Sequence, residues 1–145
     1  MTSINQSALV EYSAEQMFDL VNDIEAYPEF MQGCTGAKVL SQSDTELVGE
    51  LSLSMGGISK QLTTRNRLFR PERIEMRLVE GSLRNFSSQW NFKALTDRAC
   101  KVSLQMEFEL QLGFMDFAAG TLISNVANTQ VASIVKRAHE VYDGE

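Results

Sequence analysis

The chain has 145 residues, of which 43% are hydrophobic and 22% charged, with nine glycines and two prolines; this is the length of one domain, 1–145, able to bury about 70% of its unfolded surface. A formal net charge of −6 and a pI of about 4.8 exclude a non-specific nucleic-acid coat, which needs a net basic surface to displace phosphate counterions. Two cysteines 66 positions apart without a C-x-x-C, and a single histidine, His139, exclude a disulfide framework and most zinc sites.

Ile4 to Val10 predicts a first strand. The opening MTSINQSALV has neither a basic segment nor a long apolar run, so no signal peptide is expected. Ser13-Ala14-Glu15-Gln16 has the spacing of a capping box, with Ser13 as N-cap and Gln16 at the third helical position. The helix it opens carries Met17, Phe18, Leu20, Val21 and Ile24 until Pro28 interrupts the pattern. From residue 37 the period becomes two. Leu47, Leu51, Leu53 and Met55 share one face, and Glu46, Glu50, Ser52 and Ser54 the other. Gly56-Gly57 signals a hairpin turn, and Arg70-Pro71-Glu72-Arg73 a second turn after the segment 58–69. Ile74, Met76 and Leu78 form the next apolar face, then Phe86, Trp90 and Phe92. After a turn at Thr96-Asp97-Arg98, residues 100–110 alternate without a break, with Cys100, Val102, Leu104, Met106, Phe108 and Leu110 inward. Strands joined by such short turns are antiparallel, and alternation this regular means one dry face and one wet face.

After Gly113 the period becomes 3.6, with a stripe from Phe114 through Val126, Val131 and Ile134 to Tyr142. About 27 helical residues span about 40 Å, against a radius of gyration of about 15 Å for a domain of this size. The helix therefore crosses the whole molecule, and only the dry face of the sheet is long enough to receive it. Residues 117–135 carry no charge, but Thr121, Ser124, Asn125, Asn128, Thr129, Gln130 and Ser133 break the run, so an amphipathic helix is expected and not a membrane span. The expected location is the cytoplasm.

Separated motifs carry a resemblance over essentially the whole chain. Val21-Asn22-Asp23, Tyr27-Pro28-Glu29-Phe30-Met31 and Gly33-Cys34-Thr35-Gly36 resemble the signature of the coenzyme Q-binding and RatA-type family. Gly57-Ile58-Ser59-Lys60, Thr63-Thr64-Arg65-Asn66 and Arg137-Ala138-His139-Glu140-Val141-Tyr142 resemble its bacterial RatA branch. Gln32 departs from the family pattern, where a second proline often stands. The resemblance implies an α+β, START-like helix-grip fold: a curved antiparallel sheet around a long C-terminal helix, with two short helices after the first strand. It also implies two roles. One branch binds ubiquinone or another polyprenyl lipid and supports respiration. The RatA branch is described as a toxin that binds the large ribosomal subunit and blocks its association with the small one.

Four candidate sites follow. Cys34 as a nucleophile needs a base to form the thiolate, and nothing in the sequence brings His139 near it, so Tyr27, Pro28 and Phe30 are read as a rigid apolar lid. An apolar cavity is expected where the curved sheet leaves the helix, walled by Phe30, Leu51, Leu53, Leu62, Met76, Trp90, Phe92, Met106, Phe108, Phe114, Phe117, Ile123 and Val126. Composition fits a plain core equally well, and the family resemblance favours a pocket for a quinone or lipid. Residues 60–84 hold seven basic against three acidic residues, net +4. Strand parity puts Arg65, Arg67, Arg73 and Arg77 on the wet face, where they suit RNA phosphates. Pairing with Glu72 and Glu75 would give an ordinary solvated face instead. Finally, the inward positions are almost all apolar, with Lys60, Thr64, Asn66 and Ser88 as the polar exceptions, so general acid–base catalysis, a metal and a resident cofactor are not expected.

Overall fold

The computed structural model describes the backbone of residues 2–55, 58–81, 83–110 and 114–143, and the side chains of these except at 2, 55, 58, 83, 84, 110 and 114–123. Nine elements besides one 3-10 turn follow in chain order: β1 (Thr2–Val10), α1 (Ala14–Asn22), β2 (Cys34–Gln42), β3 (Glu46–Met55), β4 (Ile58–Phe69), β5 (Arg73–Glu80), β6 (Leu83–Thr96), β7 (Ala99–Leu110) and α2 (Phe114–Tyr142). The strands form one antiparallel sheet in the order β1-β7-β6-β5-β4-β3-β2, with β1 and β2 at its edges. The chain runs from one edge to the other through α1 and then returns strand by strand. The curved sheet grips α2, which is the helix-grip architecture. No helix among the described residues is long and apolar enough to cross a membrane.

Local chemistry sets the ends of α1. Ser13 Oγ accepts from the Gln16 amide, and the Gln16 side chain accepts from the Ser13 amide. Such a cap stabilises a helix by about 1 kcal/mol. The helix stops at Asn22, earlier than its apolar pattern predicts. A 3-10 turn, Ile24–Glu29, then carries Ile24 and Pro28. Proline fits there because a short 3-10 turn needs few donors beyond its first residues. Gly33 follows with φ of 84°, a left-handed conformation that suits glycine.

The core lies between the sheet and its helices. In β7, Cys100, Val102, Leu104 and Phe108 have no exposed surface, as alternation predicts. From α1 come Met17 and Phe18, and from α2 Val126, Ala127, Val131, Ile134 and Ala138. Two registers depart from simple alternation. Between β4 and β5, Thr63 pairs with Glu80 and Thr64 with Leu78, a bulge that skips Val79 and leaves it exposed. Between β6 and β7 the pairing steps from Arg84 to Ser87. The expected turn at Gly56-Gly57 lies outside the described residues.

Candidate functional site

The inner face of the sheet holds most of the predicted cavity wall. Leu53, Leu62, Trp90, Phe92, Met106, Phe108 and Val126 are buried in one contiguous cluster, and Phe30, Leu51 and Met76 pack against it partly buried. Phe114, Phe117 and Ile123 lie outside the described side chains. The rings of Trp90 and Phe92 lie parallel with centroids 6.3 Å apart, and Phe18 meets Phe92 edge-on at 5.9 Å. Within this apolar wall Thr64, Asn66 and Ser88 are buried. Thr64 Oγ1 donates to Asn66 Oδ1 at 2.9 Å. The Ser88 hydroxyl, cross-strand from Met76 and Met106, has no hydrogen-bond partner among the described residues. Leaving such a group buried and unpaired costs about 1–3 kcal/mol, so it is a point where a polar atom of a ligand would be stabilised.

The outer face has two halves. On β4 and β5, Arg65 stands directly opposite Arg77, Arg67 opposite Glu75, and Phe69 opposite Arg73. Arg65 Nε lies 3.3 Å from Glu46 Oε1, and Arg73 Nε lies 2.8 Å from Glu75 Oε2, the latter too poorly aligned for a hydrogen bond. The guanidinium groups of Arg67 and Arg73 stand over the Phe69 ring, 5.7 and 4.1 Å from its centroid. Arg77 donates to the carbonyl of Met76 at 3.2 Å. Among the described residues neither Arg67 nor Arg77 has a carboxylate in ion-pair reach. Of the two carboxylates expected to neutralise the patch, Glu75 does so and Glu72 does not; Glu46 takes a share through a diagonal contact that the local charge count of 60–84 could not include.

The other half, on β1, β7 and β6, carries small hydroxyls and amides. Ser3, Glu107, Ser87 and Arg77 form one cross-strand row, and Asn5, Gln105, Gln89 and Glu75 the next. A groove of about 380 Å³ opens here.

The segment around Cys34 contains no reactive thiol. Cys34 begins β2 buried, donates to the Gly36 carbonyl at 3.4 Å, and burial pushes its pKa up. His139 instead belongs to a cluster at the end of α2. Tyr12 Oη donates to Asp143 Oδ1 at 2.6 Å, and His139 Nδ1 lies 2.7 Å from Tyr12 Oη and 2.9 Å from Asp143 Oδ2. Because the Tyr12 proton goes to the carboxylate, Nδ1 carries the imidazole proton. Burial, with the Asp143 hydrogen bond and charge added, pushes the Tyr12 phenol up to about 12, and the two donors hold Asp143 below the ordinary carboxylate range. The lid is fastened to α2 by Arg137, whose guanidinium covers the Phe30 ring at 5.2 Å and pairs with Glu29 at 3.2 Å. Tyr27 meets Phe30 edge-on and donates to the Val21 carbonyl. Sequence reasoning missed the Tyr12 cluster and the Arg137 clasp, because each joins residues more than 100 positions apart. The amide rows carried a readable signal, outward polar positions on neighbouring strands, once strand order was known.

Residues 10–135 match the family described as polyketide cyclase / dehydrase and lipid transport. The chain is similar to the ribosome association toxin RatA of Vibrio cholerae, 42% identical over 142 residues covering 98% of this chain and 99% of that protein. It is also similar to RatA of Escherichia coli, 38% identical over 98% of this chain and 90% of that one. The mitochondrial coenzyme Q-binding protein COQ10 homolog B of Xenopus laevis is more distant, 23% identical over 95% of this chain and 58% of its own length. In fold the chain matches the Zhui aromatase/cyclase of a Streptomyces species, with a TM-score of 0.82 at 13% identity over 99% of this chain and 98% of that one.

Proposed function

We propose that this chain, which belongs to the polyketide cyclase / dehydrase and lipid transport family and within it to the RatA ribosome association toxins, binds the large ribosomal subunit in the cytoplasm and hinders its joining with the small one. The observation that carries this reading is similarity along nearly the whole chain to proteins of that name. The docking surface is the outer face of β4 and β5, where Arg65, Arg67, Arg73 and Arg77 gather. The chain's net charge of −6 does not oppose this. Charges on the far side of the molecule are screened beyond about 8 Å at physiological salt, so the local sign decides. Four arginine–phosphate contacts give log K a slope against log salt of about −3.

The test is cosedimentation with purified large subunits. Arg67→Glu with Arg77→Glu, which touches the two arginines without carboxylate partners, is expected to abolish it while the protein stays folded. Unchanged cosedimentation rules out this surface.

The same reading makes the protein a binder and not an enzyme. Its relatives are not named for a reaction, although its structural neighbours include aromatase/cyclases. The polar side chains buried on the inner face, Thr64, Asn66 and Ser88, do not ionise at neutral pH.

A second reading has its own support: an apolar inner wall with one unpaired hydroxyl, and similarity to a coenzyme Q-binding protein. Here a prenylated quinone would lie against Trp90, Phe92 and Met106, with a ring oxygen accepting from Ser88. Burial of its tail would drive binding at about 25 cal/mol per Å² before ordering costs. Trp90 is the one tryptophan, so its fluorescence reports the wall directly. Quenching by a short-chain ubiquinone, lost in Ser88→Val, supports the carrier role. No quenching, together with an empty protein from its own host in native mass spectrometry, sinks it.

A further inference from the structure

From the groove on the outer face we infer a site for a single unpaired RNA nucleotide, which makes the ribosomal partner RNA and not a ribosomal protein; the inference rests on the ribosome reading above. The groove is about 380 Å³, at the small end of ligand sites, which run from about 300 to 1,000 Å³. One nucleotide fits it; a duplex does not.

Its chemistry is mostly polar, with Ile4 and Met106 among the lining residues. In one cross-strand row Arg77 on β5 and Glu107 on β7 flank Ser87, with Ser3 of β1 beyond Glu107. Two strand spacings, about 10 Å, separate Arg77 from Glu107. A cation on one side and a carboxylate on the other match a nucleotide with its phosphate on Arg77. Its base edge or ribose hydroxyl then donates to Glu107. Among the described residues Glu107 has no ion pair. Asn5 and Gln105, directly paired across β1 and β7, are exposed, and neither side chain has a hydrogen bond among the described residues. An amide offers both a donor and an acceptor, so this pair suits a base edge or a 2′-hydroxyl. A peptide also carries donors and acceptors for these groups; what favours a nucleotide is the arginines beside the groove, which suit phosphates.

Arg77 also belongs to the cationic half. It stands directly opposite Arg65, with Arg67 on the next row. The phosphate on the β5 side of the bound nucleotide therefore meets further guanidinium groups as the strand leaves the groove over β4. None of the side chains lining the groove is aromatic. Recognition is by hydrogen bonds and not by the stacking that serves sequence-tolerant single-strand binders, and a 2′-hydroxyl bonded by the Asn5–Gln105 pair is what distinguishes RNA from DNA here.

The test uses the whole protein with three probes: intact large subunits, protein-free large-subunit ribosomal RNA, and single-stranded DNA of matching length. Asn5→Ala with Gln105→Ala changes two exposed side chains and leaves all four arginines in place. Wild type is expected to bind the free RNA at least tenfold more tightly than the DNA. The double variant is expected to lose about tenfold on RNA, to lose the preference over DNA, and to keep the salt slope, because no phosphate contact has gone. Arg77→Gln, by contrast, lowers the slope by about 0.7. If the double variant binds free RNA as wild type does, the groove is not the site. If wild type binds large subunits but not the free RNA, a ribosomal protein is the partner; the groove inference falls and the ribosome reading stands. If wild type does not bind large subunits, the ribosome reading falls and takes with it the ribosomal partner inferred here.

Discussion

Tyr12 and Asp143 show how two ordinary residues acquire unusual titration from burial and from each other. The Asp143 carboxylate is held down by two donors, so its contribution to stability is complete above the pKa of an unfolded aspartate, about 4, and disappears as pH falls through the lower folded value. Tyr12 titrates in the opposite sense. Its folded value of about 12 lies above its ordinary 10, so its contribution is present below pH 10 and is lost as pH rises towards 12. Tyr12→Phe removes the alkaline dependence and weakens the acid one, since His139 still donates to Asp143. We expect its chemical-denaturation midpoint to change less than that of wild type at both the acid and the alkaline end. Identical pH profiles for the two proteins would mean that the cluster contributes nothing to folding. Cys34 makes the complementary point: a cysteine in a distinctive loop stays a thiol when burial penalises its charge.

At the level of elements, the junction of the 3-10 turn with β3 is the tightest joint described. A Cβ placed on Gly49 would stand 2.2 Å from Ile24 Cδ1 and 3.3 Å from Leu47 Cδ2. Gly49 thus lets the turn carrying Ile24 sit down on the strand, and Ile24 is itself buried and has little room to withdraw. Gly49→Ala should destabilise by about 1–3 kcal/mol through overpacking. Ile24→Val deletes the clashing Cδ1, so the double variant should lose less than the sum of the two single losses. Strict additivity in that cycle would show that the close approach is relieved elsewhere. The bulge at Thr63–Thr64 is a second device of this kind. There two consecutive residues of β4, Thr63 and Thr64, are both buried, and the extra residue of β5, Val79, stays exposed.

At the scale of the whole molecule, Arg137 ties the terminal helix to the lid. It covers Phe30 and pairs with Glu29 from the lid and Glu140 from its own helix. Glu29 is well exposed, so the ion pair adds little, and the cation–π contact of about 1 kcal/mol is the larger share. Arg137→Ala should therefore lower overall stability by only about 1 kcal/mol. Hydrogen exchange at residues 27–34 should rise well beyond that of the sheet, because the clasp acts locally. A uniform increase along the chain would count against a separate lid.

Local pattern alone determined the capping box, the terminal helix and the inward parity of β3, β5, β6 and β7, since these depend on neighbours within about four residues; β2 and the early end of α1 were not legible in it. Leu104 and Phe108 could be assigned to the core, and Arg65 and Arg77 to the wet face, from the two-residue period. The full-length resemblance gave the helix-grip arrangement for the same reason: the motifs that carry it are short and lie far apart. Tertiary structure decided what those periods cannot encode. The sheet order, with β1 beside β7, sets Asn5 against Gln105 and builds the groove. Strand pairing set Glu46 diagonal to Arg65 and left Arg77 without a carboxylate among the described residues. Chain reversal brought Tyr12 to Asp143 and Arg137 to Phe30. Each of these contacts joins residues distant in sequence, and the free energy that selects them comes from closing the sheet around its helix.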